Sequence, residues 1–240
     1  YPRGGIYALV EAIRRRAEEI GVRIFCKRPV RSIVVTSGRA RAVQLDDGTT
    51  VTADAIVSNV DVPTTQQMIQ GTRPVRRRWT MTPGVITFYC GISRGVECLH
   101  HHCIFLPNDP RTAYRQLRSS LPEDLPFYVC MPSRTDSSVA PTGCSTMFVL
   151  VPSPTLSGAG NSFDWQRATD HARNEVLQRL QLHGVELSPS DIAVEHVWTP
   201  LEWQAEFGLY DGSAFGLLHT LWNIGPLRPP NRDPRIAGLY

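Results

Sequence analysis

The sequence predicts an α+β fold in which a mostly antiparallel sheet carries helices. Two observations lead to it. Amphipathic helical periodicity is confined to a few segments, the best of them at residues 5–20 and 164–183. The rest of the regular pattern is β-type: a small meander before residue 60, then longer β-branched and aromatic runs near 84–92, 101–106, 126–132 and 145–151.

The elements follow in order. In the first helix Ile6, Leu9, Val10, Ile13, Ala17 and Ile20 share one face, with Arg14–Arg16, Glu18 and Glu19 opposite and Gly21 as the terminator. Short strands are expected at 22–25, 29–35 and 40–45, and Asp47-Gly48 turns the chain into Thr50-Val51-Thr52. A buried strand over 54–58, with Ile56 and Val57 at its centre, ends at Asn59. Asp61 caps a short helix through Ile69. A further helix is expected near 110–119. In the one at 164–183, Ser162 or Asp164 is the cap, and Trp165, Ala168, Ala172, Val176 and Leu180 lie on one side. Residues 192–198 read as a strand and 207–240 as a loop-rich return.

Composition bounds the function. The 240 residues suffice for one large domain or two small ones, and 42% apolar with 20% charged residues is ordinary for a globular protein. A net charge of +3 is too weak to argue for nucleic acid, and no nucleic-acid partner is expected. The triplets Arg14–Arg16 and Arg76–Arg78 read as a solvated helix face and a solvated loop. The longest apolar run, 84–92, is strand-sized and far short of the ~20 residues of a membrane span. Any membrane contact is therefore peripheral. Six cysteines without regular spacing fit free thiols in a reducing, cytoplasmic setting.

No motif read from spacing alone names a reaction. Cys98-Leu-His100-His101-His102-Cys103 has the look of a metal cluster. Strand alternation puts His100 and His102 on one face and His101 on the other, and no second Cys/His cluster stands elsewhere. Ordinary strand histidines and no metal are the expectation. Asp136-Ser137-Ser138 reads as a polar turn, and Gly158-Ala-Gly160 is not a dinucleotide fingerprint because no parallel strand precedes it. No residue is forced into the role of catalytic acid or base.

Longer stretches carry a resemblance. Pro2-Arg3-Gly4-Gly5 before a helix, then Gly21-Val22, Pro29-Val30-x-x-Ile33, Asp47-Gly48 and Ala53-Asp54-Ala-Ile-Val-Ser58-Asn59-x-Asp61 follow one another in order. Later come His101-His102, Thr135-Asp136-Ser137-Ser138-x-Ala140-Pro141-x-Gly143-Cys144, Gly212-Ser213-Ala-Phe-Gly216 and Arg228-Pro-x-Asn231-Arg232-Asp233. Together they resemble the middle and later parts of bacterial-type phytoene desaturases, a carotenoid branch of the amine-oxidase-like FAD flavoproteins. The resemblance implies a substrate domain with a mainly antiparallel sheet and helices, plus the second half of an FAD-binding α/β domain. The expected division is 1–61 partial FAD-binding domain, 62–225 substrate-binding domain and 226–240 return to the FAD-binding domain. It further implies a glycine-rich Rossmann segment before Tyr1 and a flavin-closing segment after Tyr240. FAD is the implied cofactor. Val30 corresponds to a strand position that touches the adenine through its backbone. Ser58 and Asn59 end the strand beneath the nucleotide. Arg3, Gly4 and Gly5 form a turn beside the isoalloxazine and the substrate cavity.

The implied activity is FAD-dependent desaturation of a C40 carotenoid precursor such as phytoene, with a hydride passing to the flavin and a proton leaving the neighbouring carbon. A carotenoid isomerase or saturase of the same family, or a non-enzymatic apolar-chain-binding protein of the same fold, are the alternatives. The implied partners are a carotenoid or polyene and a membrane surface.

Overall fold

The structure, a computed structural model, describes residues 1–70, 79–221 and 223–240; the Arg76–Arg78 triplet lies outside the described residues. The chain runs α1 (Tyr7–Glu19), β1 (Val30–Thr36), β2 (Arg39–Leu45), β3 (Thr50–Thr52), α2 (Val62–Met68) and β4 (Ile69–Gln70). It continues through β5 (Gly84–Ile92), β6 (His102–Phe105), α3 (Pro110–Gln116), β7 (Phe127–Cys130), β8 (Ser145–Ser153), α4 (Leu156–Ala159), α5 (Trp165–Leu182), β9 (Ile192–Trp198) and α6 (Pro200–Phe207). This is an α+β chain, and it divides into two compact units. The first holds Tyr1–Arg23, Pro83–Trp203 and Asp211–Ala214; the second holds Ile24–Thr82, Gln204–Tyr210 and Phe215–Tyr240. That division differs from boundaries at 61/62 and 225/226. The N-terminal turn groups with the larger unit because it is tied there, Gly4 N–H donating to the Asp136 carboxylate at 2.7 Å.

The first unit is built on a five-stranded antiparallel sheet in the order β6-β7-β8-β5-β9. Its logic is the two-residue period of a strand. Along β8, Ser145, Met147, Val149, Val151 and Ser153 are buried while the residues between them are half-exposed. On β5 the matching buried set is Ile86, Phe88, Cys90 and Ile92. This inner face is covered by α5, whose Ala168, Ala172, Val176 and Leu180 are buried against it. Asp164 starts that helix by accepting a hydrogen bond from Arg167 N–H at 2.9 Å, and His183-Gly184 ends it, Gly184 at φ +77°. A half-buried polar clamp fixes helix to sheet. Arg173 donates through Nε and Nη2 to the Glu195 carboxylate on β9, at 3.0 and 2.7 Å, and through Nη1 to Asp170. Glycine is obligatory at Gly212, where φ is +65° and a Cβ would stand 2.5 Å from the Pro200 carbonyl.

The second unit pairs β3-β2-β1-β4, with β1 and β4 parallel. Ile33, Val35, Ala40, Ile56, Ile236 and Leu239 form its core. Residues 54–58 make less than the expected strand. A single parallel bridge joins Ile56 to Leu239, and hydrogen bonds run from Ile56 N to Gly238 O and from Ser58 N to Tyr240 O. Ile56 is buried but Val57 is 78% exposed, because successive side chains point opposite ways and only one side has a neighbour.

Three further expectations are corrected. The apolar face of α1 is exposed, and none of its residues is buried. That helix stands on local propensity and surface pairs of Arg14 with Glu11 and Glu18. Residues 22–25 join no ladder, since no strand among the described residues pairs with them. Ile69 leaves the helix and opens β4 instead. The helices α4 and α6 were not anticipated. The six cysteines are free, with Cys26 and Cys98 exposed and Cys90 buried.

Two outcomes are expected from this packing. Leu180→Ala should cost about 2–5 kcal/mol of stability in denaturant unfolding, since Leu180 is fully buried. The same change at Leu182, which is 84% exposed, should stay within about 0.5 kcal/mol. Burial, reinforced by the Glu195 charge, pushes the Cys90 thiol to about 12. Alkylation of the native protein near neutral pH should therefore label Cys26 and Cys98 and leave Cys90 intact by mass spectrometry; rapid labelling of Cys90 would contradict the packing.

Candidate functional site

In the first unit the site begins at the N-terminal turn. Gly4 and Gly5 have φ of +83° and +86°, in the left-handed region that side chains disfavour. Gly5 N–H donates to Pro2 O at 3.1 Å. Asp136 holds the turn from across the unit, as its Oδ2 accepts from Gly4 while its Oδ1 accepts from Ser138 N–H and Oγ–H at 3.0 and 2.6 Å. The Ser138 hydroxyl first, and then the amides of Gly4 and Ser138, hold this carboxyl below its ordinary value. Asp136-Ser137-Ser138, expected as a plain polar turn, is thus an anchor for Arg3-Gly4-Gly5.

Beside this turn begins a run of aromatic rings. The Tyr1 ring meets His101 edge-on at 5.0 Å, and His101 lies 4.3 Å from His102. The run crosses the sheet from strand to strand: His102 to Tyr128 at 5.9 Å, Tyr128 to Phe148 at 6.2 Å, Phe148 to Tyr89 at 5.1 Å and Tyr89 to Trp198 at 5.5 Å. Trp203 on α6 closes it, 4.9 Å from Trp198. The pairing register explains it, because Phe148 sits opposite Tyr89 and opposite Cys130, the neighbour but one of Tyr128. These are the positions that alternate with the buried set, so the rings occupy the face that α5 leaves uncovered. Five strands about 4.8 Å apart give a row about 19 Å across. None of its members stood out in the sequence except the histidines; the alternation in 145–153 was the available signal, but the cross-strand register that joins the rings was not.

The histidine expectation needs correction in detail. Alternation was to put His100 with His102, but β6 starts at His102, so His101 lies ahead of the ladder and is free to turn its ring beside that of His102. His101 Nδ1 bonds the Thr135 hydroxyl, and His102 Nδ1 bonds the Tyr128 hydroxyl at 2.6 Å.

In the second unit, a cavity of about 600 Å³ opens around Ser58, Thr65, Gln66, Arg228, Asn231 and Tyr240. Ser58 is fixed by its hydroxyl bond to Thr65 Oγ1 at 2.7 Å. Asp61 caps α2 and, through its other oxygen, accepts from Tyr210 N–H at 2.7 Å. Gln66 Oε1 is buried and has no hydrogen-bond partner among the described residues. Asn59 is exposed and does not line this cavity, and Val30 is 39% exposed at the start of β1, paired with Leu45. Of the six residues the sequence singled out, the structure brings Arg3, Gly4 and Gly5 to one turn and Ser58 to one cavity. Thr65 and Gln66 were not singled out, because a threonine and a glutamine on a short helix carry no motif; Arg228 and Asn231 stood in a quoted motif but without a role.

Comparison with known proteins follows from these sites. The chain matches the family model described as flavin containing amine oxidoreductase over residues 1–235. It is 34% identical, over its whole length, to a zeta-carotene-forming phytoene desaturase of Myxococcus xanthus, covering 47% of that protein. It is 32% identical over 99% of its length to an all-trans-zeta-carotene desaturase of the same organism, covering 46%. The chain thus spans about half the length of the curated relatives it matches. Among solved structures it resembles in fold an oxidoreductase from Methanosarcina mazei, with a TM-score of 0.57 and 15% identity, over all of this chain and 49% of that one.

The Asp136 anchor has a pH signature. A carboxyl held below its ordinary 3.8 contributes its hold fully above that value and loses it as pH falls through the lower folded one. Protection of the Gly4 amide from hydrogen exchange should therefore be retained from neutral pH down to about 4 and collapse below it. Asp136→Ala should abolish the protection at all pH values, whereas unchanged Gly4 protection in that variant would refute the anchor.

Proposed function

Since the chain belongs to the flavin-containing amine oxidoreductase family, we propose that it is part of an FAD-dependent carotenoid desaturase acting on a C40 precursor such as phytoene. The observation that carries this reading is the uncovered aromatic face of the five-stranded sheet. A C40 hydrocarbon has no polar handle. It must be held by apolar area and by the flat faces of rings, and a row of rings crossing the strands offers both to an extended chain. Its two Myxococcus relatives carry desaturase names, one for phytoene and one for zeta-carotene, which supports the substrate class without choosing the step.

The residues present fit the cofactor. Gly4 and Gly5 expose backbone at a turn where an added Cβ would meet nothing closer than 3.4 Å, room for a flat ring to approach. The cavity at Ser58 presents hydroxyl, amide and guanidinium groups, and the orphaned Gln66 Oε1 wants a donor such as a ribose hydroxyl or an adenine amine. By the family resemblance, Arg3, Gly4 and Gly5 would border the isoalloxazine, and Val30, Ser58 and Asn59 would serve the nucleotide. When bound, the flavin supplies the two-electron oxidising power that no side chain has. The chain's own residues do the rest: Asp136 fixes the glycine turn, and Tyr89, Phe148 and Trp198 hold and orient the hydrocarbon and keep water from it.

Among the described residues no helix is long and apolar enough to cross a membrane. We read the protein as peripherally associated and cytoplasmic. The supports are a substrate that dissolves only in lipid and six free thiols.

The test is made on the complete protein that carries this chain. Purified, it should show a flavin absorbance spectrum and convert phytoene in liposomes to a product with more conjugated double bonds, resolved by chromatography. A colourless protein without turnover would overturn the reading. Phe148→Ala should weaken phytoene use about tenfold through KM while flavin content stays unchanged. Loss of flavin with KM intact would move Phe148 from the substrate wall to the cofactor.

A further inference from the structure

The end of the aromatic row nearest the glycine turn is chemically unlike the rest. His102 on β6 stands directly opposite Cys130 on β7, so imidazole and thiol project side by side from one face. His101, ahead of the strand, brings its ring to 4.3 Å from that of His102. One ligand atom from each of His101, His102 and Cys130 lies within 4.8 Å of the other two. A polyene wall has no use for two imidazoles and a thiol converging in this way.

We propose that His101, His102 and Cys130 form a three-ligand site for a divalent ion of the zinc class. Two features support it beyond proximity. Each imidazole has its Nδ1 engaged by a hydroxyl, His101 by Thr135 and His102 by Tyr128. With Nδ1–H donating to the hydroxyl, Nε2 keeps its lone pair for a metal and the ring is held in one orientation, the support that metal-bound histidines characteristically have. The donor set is also selective. Two imidazoles and a thiolate suit zinc, cobalt or copper, and offer nothing to magnesium or calcium, which take oxygen. Binding at about 2.0–2.3 Å draws the three atoms in by up to about 1 Å, within the reach of side-chain rotation on half-exposed residues. Cys130 loses its thiol proton to solvent on binding, and both imidazoles bind neutral. Three protein ligands leave the fourth position for water or an exogenous donor. The site stands on the geometry of the first unit alone and is independent of the flavin reading.

Cobalt(II) alone is the probe, titrated into the untagged chain under reducing conditions. The expected result is a set of visible tetrahedral bands with a near-ultraviolet thiolate-to-cobalt band, saturating at one equivalent, releasing about one proton per ion and displaced by zinc. Cys130→Ser should remove the thiolate band, and His102→Ala should weaken binding at least tenfold. Cys98→Ser, at an exposed thiol outside the cluster, should change neither. Far-ultraviolet circular dichroism of each variant establishes that it is folded. Absence of a saturable band at stoichiometric cobalt, or a thiolate band that survives in folded Cys130→Ser, would overturn the site.

Discussion

Everything in the larger unit depends on how β5 and β8 divide their side chains between two faces. The antiparallel register locks Ile86, Phe88 and Cys90 together with Met147, Val149 and Val151 on one side. Helix α5 closes that side and the Arg173–Glu195 clamp holds it there. Both charges are only partly exposed, so each satisfies the other where water is scarce. A slip of one residue in this register would turn every ring on the opposite face into the core. The inner face therefore fixes the outer one, and the outer face is what the protein can offer to a ligand.

The proposed hydrocarbon substrate places a specific demand on the outer face. Without polar groups, recognition of a polyene has no hydrogen bond to fix register, so length and curvature of the wall must do it. A row of rings in contact from Tyr1 to Trp203 provides an extended wall.

Polar chemistry is confined to places where backbone or side chains would otherwise be strained or orphaned. Gly4 and Gly5 adopt a left-handed conformation that other residues disfavour, and Asp136 holds the turn through Gly4. Gln66 Oε1 is buried without a partner beside a cavity of about 600 Å³. The histidine–cysteine cluster sits at the rim of the aromatic row. In each case the observation is a local departure from ordinary packing, which is where function is expected to show.

The sequence by itself determined the α+β class, the positions of β1, β2, β5, β8, β9 and α5, the Asp61 cap, and the family, and it narrowed the α5 cap to Ser162 or Asp164. These rest on local rules: period two, period 3.6, cap residues and turn glycines act within a few positions and survive into the folded state. Only the tertiary structure decided which apolar faces are covered. The stripe of α1 and Val57 looked like core and are exposed, because burial needs a neighbour and periodicity names none. Only the tertiary structure joined Tyr128, Phe148, Tyr89 and Trp198 into one row, and set His101 beside His102 and Cys130. Cross-strand register brings together residues tens of positions apart, and no local pattern in the chain encodes that distance.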